Sequence, residues 1–343
     1  MHRQGEIMKE ISVGIIGAGR IAYVHANNIQ RNIVGAKVKG ISDPYMSDDA
    51  KKWIKELNIE VATDSYKDLL NDDEIDAIII CSPTNTHSQM IREAVGANKD
   101  VFCEKPLDLD SKEIRKSLEV VAASGKKLQV GFNRRFDHNF AALQKAVATK
   151  KIGDLHLVRI TSRDPSAPPV SYVESSGGLF KDMTIHDFDM ARFLTGSEAV
   201  EVFAYGAVLV DPAIGKAGDI DTAVVSMKME NGSIVYIDNS RQAVYGYDQR
   251  AEVFGSKGAM ESFNDLPHTA RFSGEQGVVA EKPLYFFLER YNDAFIVEMK
   301  AFIDALRNDT EVPVGSVDGL NSVLIAEAAL ESLATGKSVK VKY

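Results

Sequence analysis

Two hydrophobic patterns alternate through the first third of the chain. Short apolar runs, each bounded by Gly, Pro, Asp or Ser, lie at 11–17, 36–42, 76–81, 100–103 and 127–130. Between them, apolar residues recur at helical spacing over 21–33, 47–57, 86–97 and 111–124. Short apolar strands separated by amphipathic helices predict βαβ units and a parallel sheet buried on both faces. After Phe132 the rhythm changes. A helix over 139–149 leads to strand-like runs at 156–161, 199–209, 222–230, 233–239 and 249–254. The turns Asn231-Gly232 and Lys257-Gly258 suit antiparallel hairpins. Helices over 291–306 and 317–333 and a short strand over 338–342 complete the pattern. It predicts an α/β chain of two domains: a doubly wound parallel sheet over 1–131 and an α+β domain over 132–343. No repeat or low-complexity tract interrupts it.

Composition narrows the function classes. A length of 343 residues suits two domains, and 45% hydrophobic with 26% charged residues is globular composition, which excludes a disordered chain. Forty Lys+Arg against forty-nine Asp+Glu leave a net charge of −9, which argues against nucleic-acid and anionic-membrane partners. The longest apolar runs, such as 77–81, fall far short of the roughly 18 residues of a membrane span. Residues 1–8 carry no apolar signal core. The two cysteines, Cys81 and Cys103, sit in apolar stretches and read as buried reduced thiols. A cytoplasmic protein is the expectation.

Gly17-Ala18-Gly19-Arg20-Ile21-Ala22 falls where the first strand meets the first helix. Gly17 permits a tight turn, Gly19 keeps a side chain off the backbone, and the small Ala22 lets helix and strand pack closely. The backbone from Gly17 through Arg20 and Ile21 then presents N–H groups and a positive helix end to phosphates. Asp43, twenty-four residues after Gly19 at the end of the second strand, matches the carboxylate that bonds an adenosine ribose. Strand, turn, helix and acid in register point to a dinucleotide. Asp43 repels a 2′-phosphate and is followed by Pro44, so NAD is favoured over NADP.

Ligands of an open parallel sheet sit at the carboxyl ends of its strands. Two such ends carry chemistry: Ser82-Pro83-Thr84-Asn85-Thr86-His87 and Glu104-Lys105-Pro106. Thr84, Asn85 and Thr86 also suit helix caps, and Lys105 a solvated amine. A Glu–Lys pair beside a nucleotide crevice is nevertheless costly to desolvate without a function. Pro106 fixes the backbone there, and a cis bond would do so. In the second half, Gly177-Gly178 precede a helical period running to Leu194, with Met183, Met190, Ala191 and Leu194 as its apolar stripe. Asp182 and His186, four apart, can meet on one face with Asp189 adjacent. Such a pair suits proton transfer near neutrality. A helix salt bridge and a satisfied core histidine are its bland alternatives. A metal site is the weaker one, lacking a second His or a Cys nearby.

Together, Gly17–Ala22, Glu104-Lys105-Pro106 and the Gly-Gly…Asp-x-x-x-His segment resemble the glucose–fructose oxidoreductase/inositol dehydrogenase family. Three stretches resemble its inositol 2-dehydrogenase branch: 131–137, Arg163-Asp164-Pro165 and 181–194. The resemblance implies an N-terminal Rossmann domain and a second domain on a large, mostly antiparallel open sheet whose outer face commonly mediates homodimers and homotetramers. It implies oxidation of a cyclic polyol with NAD, by catalytic Lys105, Asp182 and His186. Gly17, Gly19, Arg20, Ile21, Asp43, Ser82, Thr84, Asn85, His87, Glu104 and Lys105 then line the cofactor. Lys105, Asn133, Arg134, Asp182, His186 and Tyr247 line the substrate, with Tyr245 the neighbour that competes for the role of Tyr247. A related sugar dehydrogenase and a non-catalytic nucleotide-sensing regulator are the other readings. The presence of all three catalytic residues favours an enzyme, with no metal in its chemistry.

Overall fold

A computed structural model describes residues 9–343; the N-terminal segment read above as lacking a signal core lies outside them. The first 132 residues supply β1 (Ile11–Ile16), α1 (Arg20–Asn32), β2 (Ala36–Ser42), α2 (Asp48–Glu56), β3 (Val61–Thr63), α3 (Tyr66–Leu70), β4 (Ala77–Ile80), α4 (His87–Gly96), β5 (Asp100–Glu104), α5 (Ser111–Ser124) and β6 (Leu128–Gly131). The sheet order is β3-β2-β1-β4-β5-β6 and all its pairings are parallel. Every residue of β1 and β4 is buried, as helices on both faces require. Local chemistry sets the helix ends. Ser47 caps α2 by accepting from the Ala50 N–H, Asp110 caps α5 through Lys112, and Gly125 ends α5 at φ +68°. Strand order reverses between β1 and β4, which makes their carboxyl ends the switch point where a ligand binds.

The remainder supplies α6 (His138–Ala148), β7 (Leu155–Arg163), α7 (Val170–Ser176), α8 (Gly178–Asp182), α9 (Ile185–Thr195), β8 (Ala199–Ala207), α10 (Pro212–Lys216), β9 (Thr222–Met229), β10 (Ile234–Ser240), β11 (Asp248–Gly255), β12 (Gly258–Ser262), β13 (Arg271–Gly274), β14 (Gly277–Ala280), α11 (Phe287–Arg290), α12 (Asn292–Asn308), α13 (Ser316–Thr335) and β15 (Val339–Lys340). Seven strands form one sheet in the order β12-β11-β7-β10-β9-β8-β15, antiparallel except for the parallel pair β7–β10. Its strands alternate. Ala223, Val225, Met227 and Met229 of β9 point to the core, while the residues between them are more exposed, the mark of a sheet covered on one face.

The chain forms two compact units, one of which ends at Phe132 and regains Phe295–Leu320. Met299, Phe302 and Ile303 of α12 are closed to solvent among Ile11, Ala26 and Phe102 of the first unit. A single boundary near Gly131 does not anticipate this return, because an amphipathic pattern does not say which sheet a helix covers. A second difference concerns the segment leading to Leu194, which forms two helices instead of one. Thr184 donates both its N–H and its hydroxyl towards the Leu179 carbonyl, at 2.9 and 3.3 Å, and the hydroxyl also reaches Asn239 Oδ1 at 2.8 Å. A hydroxyl that bonds its own backbone competes with the helical ladder. Asp182 therefore ends α8 while His186 opens α9. Short elements without a period (α7, α10, α11 and the β13–β14 hairpin) have no counterpart in the sequence pattern. Among the described residues, no helix is long and apolar enough to cross a membrane.

Candidate active site

In the first unit the Gly-rich turn has the geometry a pyrophosphate needs. Gly17 adopts φ +100°, and a Cβ there would lie 2.7 Å from the Cys81 carbonyl oxygen. Only glycine suits that position. Gly19 caps α1, and a Cβ built on it would meet nothing within 4 Å. The first turn of α1 has no side-chain cap hydrogen bond and no acidic residue, so the N–H groups following Gly19 face open space with the positive helix end behind them. Asp43 ties this turn to β2: its Oδ2 accepts from the Ala18 N–H and its Oδ1 from the Tyr45 N–H, both at 2.8 Å. These residues fit a dinucleotide.

The neighbouring strand ends are held by two buried histidines. His87 is 1% exposed, and its ring bridges two loops, with Nδ1 2.8 Å from the Pro106 carbonyl and Nε2 2.8 Å from the Ser82 carbonyl. Burial lowers its pKa, against the pull of those two carbonyls. The Ser82 hydroxyl pairs with that of Thr86 at 2.7 Å. Thr84 and Asn85 lie in the single turn between them, Asn85 being the exposed one. His25 of α1 is closed to solvent and places Nε2 2.7 Å from Glu104 Oε1. The other Glu104 oxygen packs over Gly131, where a Cβ would come within 2.9 Å. Lys105 thus stands between a carboxylate fixed by one histidine and a carbonyl fixed by another, and the Lys105–Pro106 peptide is cis. The ring of His87 and the carboxylate of Glu104 are engaged with protein atoms, so both support this end of the sheet.

In the second unit, arginine–carboxylate ion pairs hold the corresponding residues. Arg134 is 3% exposed and donates from Nη1 to Asp187 Oδ1 at 2.6 Å and from Nη2 to Ser162 Oγ at 3.4 Å. Asn133, beside it in the turn after β6, is buried as well. Arg135 binds Asp189 through two bonds of 2.9 and 2.6 Å. That engagement gives the buried Asp189 an arginine partner of its own. Asp182 Oδ1 accepts from the Tyr172 hydroxyl at 2.9 Å, and its Oδ2 lies 3.0 Å from Arg241 Nη2. His186 is half-buried in the first turn of α9. The two tyrosines separate clearly: Tyr247 is buried against Tyr291 and Phe286, whereas Tyr245 donates to Asp248 on the sheet at 2.6 Å.

The family models match both regions. An oxidoreductase family with an NAD-binding Rossmann fold matches residues 11–132, and the GFO/IDH/MocA C-terminal domain matches 140–261. The chain belongs to the GFO/IDH/MocA oxidoreductase family. It is 47% identical to a myo-inositol 2-dehydrogenase of Thermotoga maritima over 96% of this chain and 98% of that protein. It is 44% identical to an inositol 2-dehydrogenase of Rhizobium meliloti over 96% and 99%. A crystal structure of scyllo-inositol dehydrogenase from Lactobacillus casei, with bound NAD(H) and scyllo-inositol, superposes with a TM-score of 0.90 at 34% identity, covering 97% of this chain and 99% of that one.

Within this family member the sequence reading passed over three residues that shape the site. His25 lies six residues after Gly19 on a helix whose pattern spoke only of packing. Glu298 is fully buried on α12, and neither carboxylate oxygen has a hydrogen-bond partner. Burial, with the nearby Glu104 second, raises its pKa well above the usual carboxylate value. Arg241 follows β10 with nothing in its local sequence to mark it. A buried polar residue at an otherwise apolar or strand-end position is the one signal available for such groups.

Proposed function

We propose that this chain oxidises a secondary hydroxyl of a cyclic polyol, with inositol to 2-keto-inositol as the reaction and NAD⁺ as the acceptor. The reading is carried by 47% identity over nearly the whole chain to a myo-inositol 2-dehydrogenase, in a sequence that keeps Lys105, Asp182 and His186. Bound NAD⁺ supplies the hydride acceptor. Gly17, Gly19, Arg20 and Ile21 hold the pyrophosphate. Asp43 takes the ribose hydroxyls and repels a 2′-phosphate, which supports NAD over NADP. Ser82, Thr84 and Asn85 border the nicotinamide end, with His87 and Glu104 fixing that border from behind.

His186 is the general base that withdraws the hydroxyl proton, since a carbinol hydride leaves readily only from a forming alkoxide. Asp182 stabilises the resulting imidazolium. Lys105 donates to the substrate oxygen and stabilises the developing alkoxide. Asn133, Arg134 and Tyr247 shape the polyol pocket. The competing substrate class is a hexose. An absorbance screen for NADH with myo-, scyllo- and chiro-inositol and D-glucose separates the two. The expected result is a higher kcat/KM for an inositol than for glucose, and a glucose preference would move the enzyme to the sugar dehydrogenases.

Association into homodimers or homotetramers is part of the proposal. Leu157 pairs in register with Ile234 on one side and Phe254 on the other, and all three are exposed. An apolar row of this kind on one sheet face supports contact with a second copy. Cys81 and Cys103 are unpaired thiols whose burial keeps them protonated, which supports a reducing, cytoplasmic setting.

A further inference from the structure

Asp164 stands out in the sequence as part of Arg163-Asp164-Pro165, and the proposed reaction leaves it without a role. The strand register determines where it lies. Arg163 pairs with Ser240 at the end of the parallel β7–β10 ladder, so Asp164 and Arg241 are the next residues out on each strand. The Asp164 N–H donates to the Ser240 carbonyl at 2.9 Å and its carbonyl accepts from the Ala243 N–H at 2.6 Å. Its backbone is thus held at both its N–H and its carbonyl. The Arg241 guanidinium, 3% exposed, then spans two carboxylates, with Nη1 3.4 Å from Asp164 Oδ2 and Nη2 3.0 Å from Asp182 Oδ2.

We propose that Asp164 is a positioning residue of the reaction, acting on Asp182 through the shared Arg241 guanidinium. The inference rests on the reading of Asp182 as the carboxylate that supports His186. One buried guanidinium between two ionised carboxylates leaves the group with a net negative charge, and Asp182 keeps charge to offer an imidazolium. Protonating Asp164 releases the guanidinium to Asp182 alone. The group becomes neutral and its support for His186 weakens.

The titration of Asp164 lies where this matters. Burial raises its pKa to about 6, opposed by Arg241 and reinforced by Asp182, with Arg134 a further lowering charge. Tyr172 on α7, Tyr247 ahead of β11 and, on the far side of Arg241, Asp219 are the other titratable groups facing this cluster. Activity therefore requires both an ionised Asp164 and a neutral His186, and both conditions fail on the acid side.

The test is kcat and kcat/KM for myo-inositol with NAD⁺ from pH 5 to 9, in the full-length enzyme and in Asp164→Asn, Asp164→Glu and Asp182→Asn. In the unmodified enzyme, log(kcat/KM) should fall on the acid side with a slope approaching two. Asp164→Asn should reduce that slope to one and lower kcat roughly tenfold at pH 8, with KM changed less than about twofold. Asp164→Glu, which keeps the charge, should restore the steep limb. An Asp164→Asn protein with the parental kcat and limb overturns the proposal, as does one that loses thermal stability while its folded fraction keeps both. If Asp182→Asn is equally unaffected, the catalytic reading of Asp182 has failed instead. An unmodified protein that does not oxidise myo-inositol overturns the substrate reading, and the same variants then apply to whichever alcohol it turns over.

Discussion

The loop that carries Lys105 and the helix ends that carry Asp182 and His186 are fixed by different physics. Around Lys105 the restraints are steric and histidine-mediated: a glycine that makes room at residue 131, and two histidine rings set against the Glu104 carboxylate and the Pro106 carbonyl. Around Asp182 and His186 they are buried and partly buried charges. Arg134 holds Asp187, Arg135 holds Asp189, and Arg241 spans Asp164 and Asp182. Steric restraints set a position and little else. Buried charges set position and local potential together, so that altering one moves geometry, stability and proton affinity at once.

The largest effects should come from the two residues that these frameworks present. A positioned acid–base group contributes roughly 10²–10⁴-fold, about 3–5 kcal/mol of barrier. His186→Ala should lower kcat by that order and abolish the rise of kcat/KM with pH through neutrality, with NADH binding retained. Lys105→Ala should also lower kcat by orders of magnitude, because its bond strengthens only in the transition state, yet leave the shape of the pH profile in place. Stopped-flow turnover and NADH fluorescence titration separate the two. A His186→Ala enzyme within a few-fold of the parent would remove His186 from the role of base, and a collapse of NADH affinity in the Lys105 variant would make that residue a cofactor anchor.

Next in size is a difference in stability between the two frameworks. Arg134→Met leaves Asp187 buried without its guanidinium, and breaking a buried pair from one side costs about 3–5 kcal/mol. His87→Asn gives up the ring's contacts with the Pro106 and Ser82 carbonyls, which costs about 1–3 kcal/mol. Urea unfolding should rank them in that order. Equal losses would mean that the charged web is no more demanding than the histidine bridge.

The same contrast explains what could be read from the sequence. The Gly17–Ala22 turn, Asp43 and the parallel sheet were legible because a phosphate-binding turn is a local backbone device, complete within a few residues. Lys105 and His186 entered the candidate site through family motifs. The ionic web was not, since Arg134 and Asp187 lie fifty-three residues apart and Arg163 meets Ser240 only through strand register. The expected single helix through Asp182 and His186 failed for a local reason, the hydroxyl of Thr184, that a hydrophobic period does not register. The return of α12 to the first unit was invisible because amphipathicity names no partner.

Asp43 tests the steric side at the cofactor. Asp43→Ser should lower kcat/KM for NAD⁺ by roughly 10- to 160-fold, the worth of a charged hydrogen bond of about 1.5–3 kcal/mol, while activity with NADP⁺ rises. Because Asp43 also anchors the Ala18 and Tyr45 N–H groups, a fall with both cofactors would mark it as a loop anchor and remove it from cofactor choice.

The smallest effect, and the sharpest exception to the contrast, lies in the first unit. Glu298 is a fully buried carboxyl with no hydrogen-bond partner for either oxygen, near the Glu104 that precedes Lys105. Burial and that neighbour raise its pKa in the folded protein, so the folded state retains a proton that the unfolded chain releases above about pH 4.5. The stability this group contributes is therefore full below the unfolded pKa and is lost progressively as pH rises towards the folded one. Glu298→Gln mimics the neutral acid in shape and removes the titration, while the backbone carbonyl of residue 298 still accepts from Gln129. Thermal unfolding should show Glu298→Gln melting a few °C above the parent at pH 8, with the gain shrinking as pH approaches 5. If the gain is constant with pH, Glu298 does not hold a proton. If it reverses, the carboxyl is ionised and paired, and the first unit depends on buried charge after all.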